Sequence, residues 1–89
     1  MTTYSQSVVL RNELGLNLQT AVELAQTARQ FAAEVRVRYG ETDESARSVI
    51  GLVALGASHG ARLTVIGSGV DALVAVRSVG AILQPAGRA

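Results

Sequence analysis

A chain of 89 residues is one small domain, near the lower limit for folding without a staple. Its composition is 48% hydrophobic but only 3% aromatic, so Val, Leu, Ile and Ala must build the core, and the absence of cysteine excludes disulfides and thiolate metal sites. Eight basic residues, all Arg, against seven acidic ones leave a net charge of +1, which gives no electrostatic case for nucleic acid or an anionic membrane surface.

No apolar run reaches the ~18–20 residues that span a bilayer. The opening Met1, Thr2, Thr3, Tyr4 lacks the pattern of a secretory signal, so a cytoplasmic protein is expected. Residues 1–89 read as a single domain whose ends, about 1–3 and 85–89, fray; the tail holds the only proline, and its Gly87, Arg88, Ala89 is no conjugation signal.

From Tyr4 to Leu10 the alternation predicts a strand with Val8 and Leu10 inward and Ser7 and Val9 outward. The stretch from Asn12 to Ala21 then joins strand to helix. Gly15 supplies the backbone freedom of a tight turn, and Asn17 is a good N-cap for a helix over Leu18–Gln30. In that helix Ala21, Val22, Leu24, Ala25 and Ala28 recur on one face and Phe31 closes the run, while Glu23, Gln26, Arg29 and Gln30 face water. Its open first-turn amides suit the corner to an anion, but no nucleophile stands there.

Val35 and Val37 alternate with Arg36 and Arg38 as a second strand, turned back by Tyr39, Gly40 and Glu41. The third strand, about Thr42–Ala46, is expected to be a short edge whose Glu41, Asp43 and Glu44 discourage pairing with other chains. Ser48 caps a short helix from Val49 to Leu55, which Gly56 can end, and Leu52 and Leu55 belong to the core. Gly60 leads into a fourth strand, Arg62–Ile66, with Leu63 and Val65 inward. Gly67, Ser68 and Gly69 read as the last turn, before a helix over Asp71–Leu83 with Ala72, Ala75, Val76, Val79, Ile82 and Leu83 as its core stripe. The order strand, helix, strand, strand, helix, strand, helix is that of an α+β two-layer domain, with no internal repeat.

Over about residues 5 to 83 the chain resembles the HPr family, the histidine-containing phosphocarriers of the bacterial phosphoenolpyruvate:sugar phosphotransferase system. The family's active stretch runs Gly-Leu or Gly-Ile, the phosphorylated His, a small residue, Arg, Pro and Ala. Here those places are held by Gly15, Leu16, Asn17, Leu18, Gln19, Thr20 and Ala21. Asn17 replaces the His, Gln19 the Arg and Thr20 the Pro. An Asn cannot carry a phosphoryl group on an imidazole nitrogen, and losing the Arg removes the fixed charge that would steady a phosphate. The resemblance implies an open-faced sandwich of four antiparallel strands covered by three helices; the residues themselves offer no paired carboxylates in a glycine-rich pocket, no triad and no metal set, so neither an enzyme nor a cofactor is expected.

Further implications attach to single positions. Ser48, Val49, Ile50, Gly51 resembles the segment whose Ser is phosphorylated by HPr kinase in many Gram-positive bacteria, and a phosphate there would add about two negative charges at a helix N-terminus. Leu18, Val49, Ile50 and Val53 match places where the family presents apolar side chains to partner proteins, with core packing as the ordinary alternative. Glu44 stands where an inward apolar residue is usual. Leu73 and Val74 stand where charged residues are common, which reads either as a second contact surface for a partner or a second copy or as an ordinary scatter of surface apolar residues.

Three functions follow as expectations. One is a non-catalytic interaction module, similar to the catabolite-repression HPr-like proteins, switched at Ser48 and bound to a transcription regulator or metabolic enzyme. Another is a carrier or scaffold recruited to a different, biosynthetic pathway and recognised by a dedicated enzyme. The least favoured is phosphotransfer by His59, the only histidine, which reads as an exposed loop residue with neither metal partners nor a nucleophile arrangement around it.

Overall fold

The computed structural model describes residues 2–85. Met1 and residues 86–89, most of the ends expected to fray, lie outside the described residues, as does the Gly87, Arg88, Ala89 tail. Seven elements follow in the expected order: β1 (Thr3–Val9), α1 (Leu18–Ala28), β2 (Glu34–Tyr39), β3 (Thr42–Ser45), α2 (Val49–Ala54), β4 (Arg62–Ser68) and α3 (Ala72–Leu83).

The strands form one antiparallel sheet in the order β1-β4-β2-β3. Alternation sorts its faces. Val8, Val35, Val37, Leu63 and Val65 are buried under the helices, whereas Ser7, Arg38 and Arg62 lie exposed on the open face. Helices α1 and α3 close the other layer with Leu24, Ala28, Ala75, Val76, Val79 and Leu83, and Leu10, Leu16 and Leu52 complete the same cluster. Small side chains let these layers approach closely.

Several boundaries differ from the sequence reading for identifiable reasons. Thr3 belongs to β1, not to a loose end, because it pairs with Ser68 across the sheet. Helix α1 stops at Ala28; Gln30 N–H already reaches back only to Thr27 O, a tightened turn that unwinds the helix. Gly67 and Ser68 continue β4 rather than turning. A Cβ on Gly67 would lie 2.6 Å from Val76 Cγ2 and 3.2 Å from Ala72 O, so this glycine marks the close crossing of α3 over the sheet. Val22 is exposed, and Thr20 takes a buried place on α1 instead. Leu55 and Ile82 pack against the core only half-buried.

Polar pairs fix the periphery. On the open face Arg36 Nε donates to Asp43 Oδ1 (2.7 Å) and Arg38 Nη2 to Asp43 Oδ2 (3.1 Å), tying β2 to the short edge strand β3. At the start of α3, Asp71 accepts from the Ala32 and Ala33 amides (3.0 and 2.7 Å), pinning the α1–β2 connection to that helix.

Candidate functional site

The corner between β1 and α1 is held by backbone before any side chain acts. Gly15 N–H donates to Asn12 O (2.9 Å), closing the turn, and Leu16 N–H donates to Ala57 O (3.0 Å), fastening it to the α2–β4 connection. Gly15 has φ +75°, and a Cβ there would stand 2.7 Å from Ala57 O. Only glycine satisfies both demands. Leu16, buried, anchors the corner into the core.

Asn17 then caps α1. Its Oδ1 accepts from Thr20 N (3.0 Å) and its carbonyl from Ala21 N (2.9 Å), so the side-chain oxygen is committed to the helix. The Leu18 and Gln19 amides stay open at the helix start. Asn17, Gln19 and Thr20 line one shallow cleft with Asn12, Glu13 and Glu23. Asn12 buries its Oδ1 there without a donor among the described residues.

This lining corrects the expectation of an anion site. Among the described residues Glu13 and Glu23 are the only charged ones of the cleft, and two carboxylates oppose the field of the helix start. Among the described residues no arginine lines it to offset them. On the open face Asp43 is held below the usual carboxylate range by hydrogen bonds from Arg36 and then Arg38, and at the start of α3 Asp71 is held below it by the Ala32 and then the Ala33 amide. Asp43 in turn raises the Arg36 guanidinium.

His59 is exposed and does not line the cleft, yet it is nearer than chain order suggests. The connection that carries it packs directly beneath Gly15, whose Cβ would meet Ser58 Cα at 3.1 Å. Sequence spacing holds no signal for that proximity, which depends on how the α2–β4 connection folds back.

Ser48 caps α2, its Oγ accepting from Gly51 N (3.0 Å). Glu44 explains its own unusual placement here. Opposite Val37 on β3, it lies on the helix side of the sheet, and its Oε1 stands 2.5 Å from where a Gly51 Cβ would be, with Ser48 Oγ 2.9 Å from the same point. The carboxylate therefore fills the space left by Gly51 beside the Ser48 hydroxyl.

Helix α2 packs against α1, and the side chains expected to meet partners divide between surface and core. Ile50 is 79% and Leu18 62% exposed, and Val53 is exposed too, whereas Val49 is half-buried against the core. Leu14 and Val22 also reach the surface beside them in sequence, the latter because the apolar stripe of α1 is narrower than its composition suggests. On α3, Leu73 and Val74 are exposed, with Val70 just before the helix. Among the described residues no three His, Cys, Asp or Glu side chains gather as metal ligands, and no helix is long and apolar enough to cross a membrane.

Comparison with known proteins gives concordant results. A family model described as the PTS HPr component phosphorylation site matches residues 4–84. The phosphocarrier protein NPr of Shewanella violacea is 37% identical over 84 residues, covering 94% of this chain and 92% of that protein. An HPr from Bacillus anthracis has the same fold, with TM-score 0.89 at 24% identity, covering 94% of this chain and 100% of that one. The catabolite-repression protein Crh of Bacillus subtilis, solved as a swapped dimer, superposes with TM-score 0.75 at 30% identity, covering 89% of this chain and 91% of that one.

Proposed function

The chain belongs to the HPr family of the phosphotransferase system, and from that premise we propose that it keeps the family's docking frame without its phosphoryl chemistry. One observation carries this reading. At the start of α1, where the family resemblance puts the phosphorylated His, stands Asn17 with its oxygen spent on the Thr20 amide, in a cleft whose only charges among the described residues are two carboxylates. Among the described residues such a corner has neither an activated nucleophile to take a phosphoryl group nor a cation to hold one.

The function left to it is protein recognition. Leu18, Ile50 and Val53 offer apolar contact beside the corner, with Val49 supporting them from the core side. The partner is a transcription regulator or a metabolic enzyme, as for the catabolite-repression relatives, and Ser48 is the switch. A phosphate on Ser48 would add about two charges beside the Glu44 carboxylate, so the switch works by repulsion at the junction of β3 and α2.

The same carboxylate favours a second reading, an unswitched scaffold serving another, biosynthetic pathway, because it already supplies negative charge next to Ser48. Intact-mass analysis after incubation with HPr kinase and ATP separates the two. One added phosphate, absent in Ser48→Ala, assigns the switch; no phosphate assigns the scaffold. An acid-labile phosphate acquired from Enzyme I and phosphoenolpyruvate would overturn both.

A further inference from the structure

Strand β1 is an edge of the sheet, and its hydrogen bonds reveal which groups face outward. Leu10 N–H donates to Ala61 O (2.9 Å), Leu10 O accepts from Gly60 N (2.8 Å), and Thr2 O accepts from Gly69 N (2.9 Å). The even-numbered residues of this run therefore face β4, and Thr3, Ser5, Ser7 and Val9 turn their N–H and C=O groups away from the sheet. At the far end the outward donors are occupied. Val9 N–H donates to Gln84 Oε1 (2.8 Å) and Arg11 N–H to Leu83 O (3.0 Å). Thr3, Ser5 and Ser7 have no such partner among the described residues, so their backbone groups form an open row.

The two edges of the sheet are treated differently. Strand β3 has four residues, two of them acidic, and is tied down by Arg36 and Arg38. Strand β1 has seven residues with no charge, lysine or proline among them, and among the described residues only its Val9 end is covered, by the end of α3 and Gln84. Its open row is also self-complementary. An antiparallel copy turned about Ser5 brings Thr3 opposite Ser7 and Tyr4 opposite Gln6, with hydroxyl facing hydroxyl and no like charges opposed.

The helix above this edge supplies an apolar flank. Gly80 of α3 stands over Gln6, whose Oε1 would lie 3.2 Å from a Cβ there, and positions 73, 77 and 80 share one helical stripe. Exposed Leu73 thus lies on the β1 side of α3, towards the end of the strand that carries exposed Tyr4.

We propose that β1 pairs antiparallel with β1 of a second copy of this chain, centred on Ser5, so that the two sheets become one and the two α3 helices bring Leu73 to the seam. Each copy contributes the open N–H and C=O groups of Thr3, Ser5 and Ser7, about six bonds across the interface. This pairing leaves the start of α1 free and is independent of phosphoryl transfer.

Sedimentation equilibrium over a concentration series tests it with three variants. The wild type is expected to dimerise. Ser5→Pro removes an outward N–H without touching the β4 ladder and is expected to weaken the dimer at least about tenfold with an unchanged far-UV spectrum. Ser5→Lys keeps every N–H but opposes two positive charges at the centre, and is expected to weaken it comparably should the proline variant misfold. A chain that stays monomeric at ~1 mM overturns the proposal. So does a dimer indifferent to both Ser5 substitutions, and a dimer lost in Leu73→Glu alone, which would belong to the face of α3.

Discussion

Gly15→Ala probes the frame of the corner most sharply, because two separate penalties meet at one atom. At φ +75° an added Cβ incurs the left-handed cost, about 1–2 kcal/mol. The same Cβ would stand 2.7 Å from Ala57 O and 3.1 Å from Ser58 Cα, both backbone atoms that cannot rotate aside. Overpacking of that kind costs a further ~1–3 kcal/mol. The total, about 2–5 kcal/mol, is a large share of the few kcal/mol that hold a small domain together. Gly40→Ala supplies the internal control, since Gly40 has φ +64° with nothing within 4 Å of its Cβ position and bears the conformational cost alone. Urea unfolding of the two variants beside the wild type isolates the clash as their difference, at least about 1 kcal/mol or roughly 4 °C in melting temperature. Equal stability of the two variants would refute the packing of the α2–β4 connection beneath Gly15.

Asn17→Ala removes the oxygen that accepts from Thr20 N and is expected to cost about 1 kcal/mol in urea unfolding, whereas Asn17→Asp, which keeps an acceptor there, is expected to cost little. Asp71 has its pKa lowered in the fold by the Ala32 and Ala33 amides, so its contribution is complete above the ordinary carboxylate pKa of ~4 and is lost as pH falls below it. Asp71→Asn should accordingly lower the urea midpoint at pH 7 and flatten its decline between about pH 5 and 2. Ile50→Glu changes a side chain 79% exposed and is expected to leave stability within about 0.5 kcal/mol while abolishing partner capture, readable by surface plasmon resonance once a partner is in hand.

What the sequence made legible were the features whose causes are local. The Val35, Arg36, Val37, Arg38 alternation specifies a strand with one wet face, and Asn17 and Ser48 cap their helices because each side-chain oxygen reaches an amide three residues on. Features set by distant neighbours were not legible. Gly67 reads as a turn residue until Val76 and Ala72 of α3 are seen pressed against it. Glu44 looks misplaced in an inward position until the gap above Gly51 comes into view. His59 and the corner lie far apart in the chain and are brought near by the bonds that tie Leu16 to Ala57 and Leu10 to Gly60 and Ala61. The charge of the cleft was hidden as well, since Glu13 and Glu23 flank the α1 start in sequence but only the turn at Gly15 gathers them around one cleft.

Phosphoryl transfer from phosphoenolpyruvate through Enzyme I, read by intact mass on the wild type and on Asn17→Ala, bears most directly on the proposed loss of carrier chemistry. No mass gain in either protein is the predicted result. A phosphate on the wild type that disappears in Asn17→Ala would contradict it at the corner, and a phosphate kept in Asn17→Ala but lost in His59→Ala would show that the chemistry had moved to the neighbouring connection.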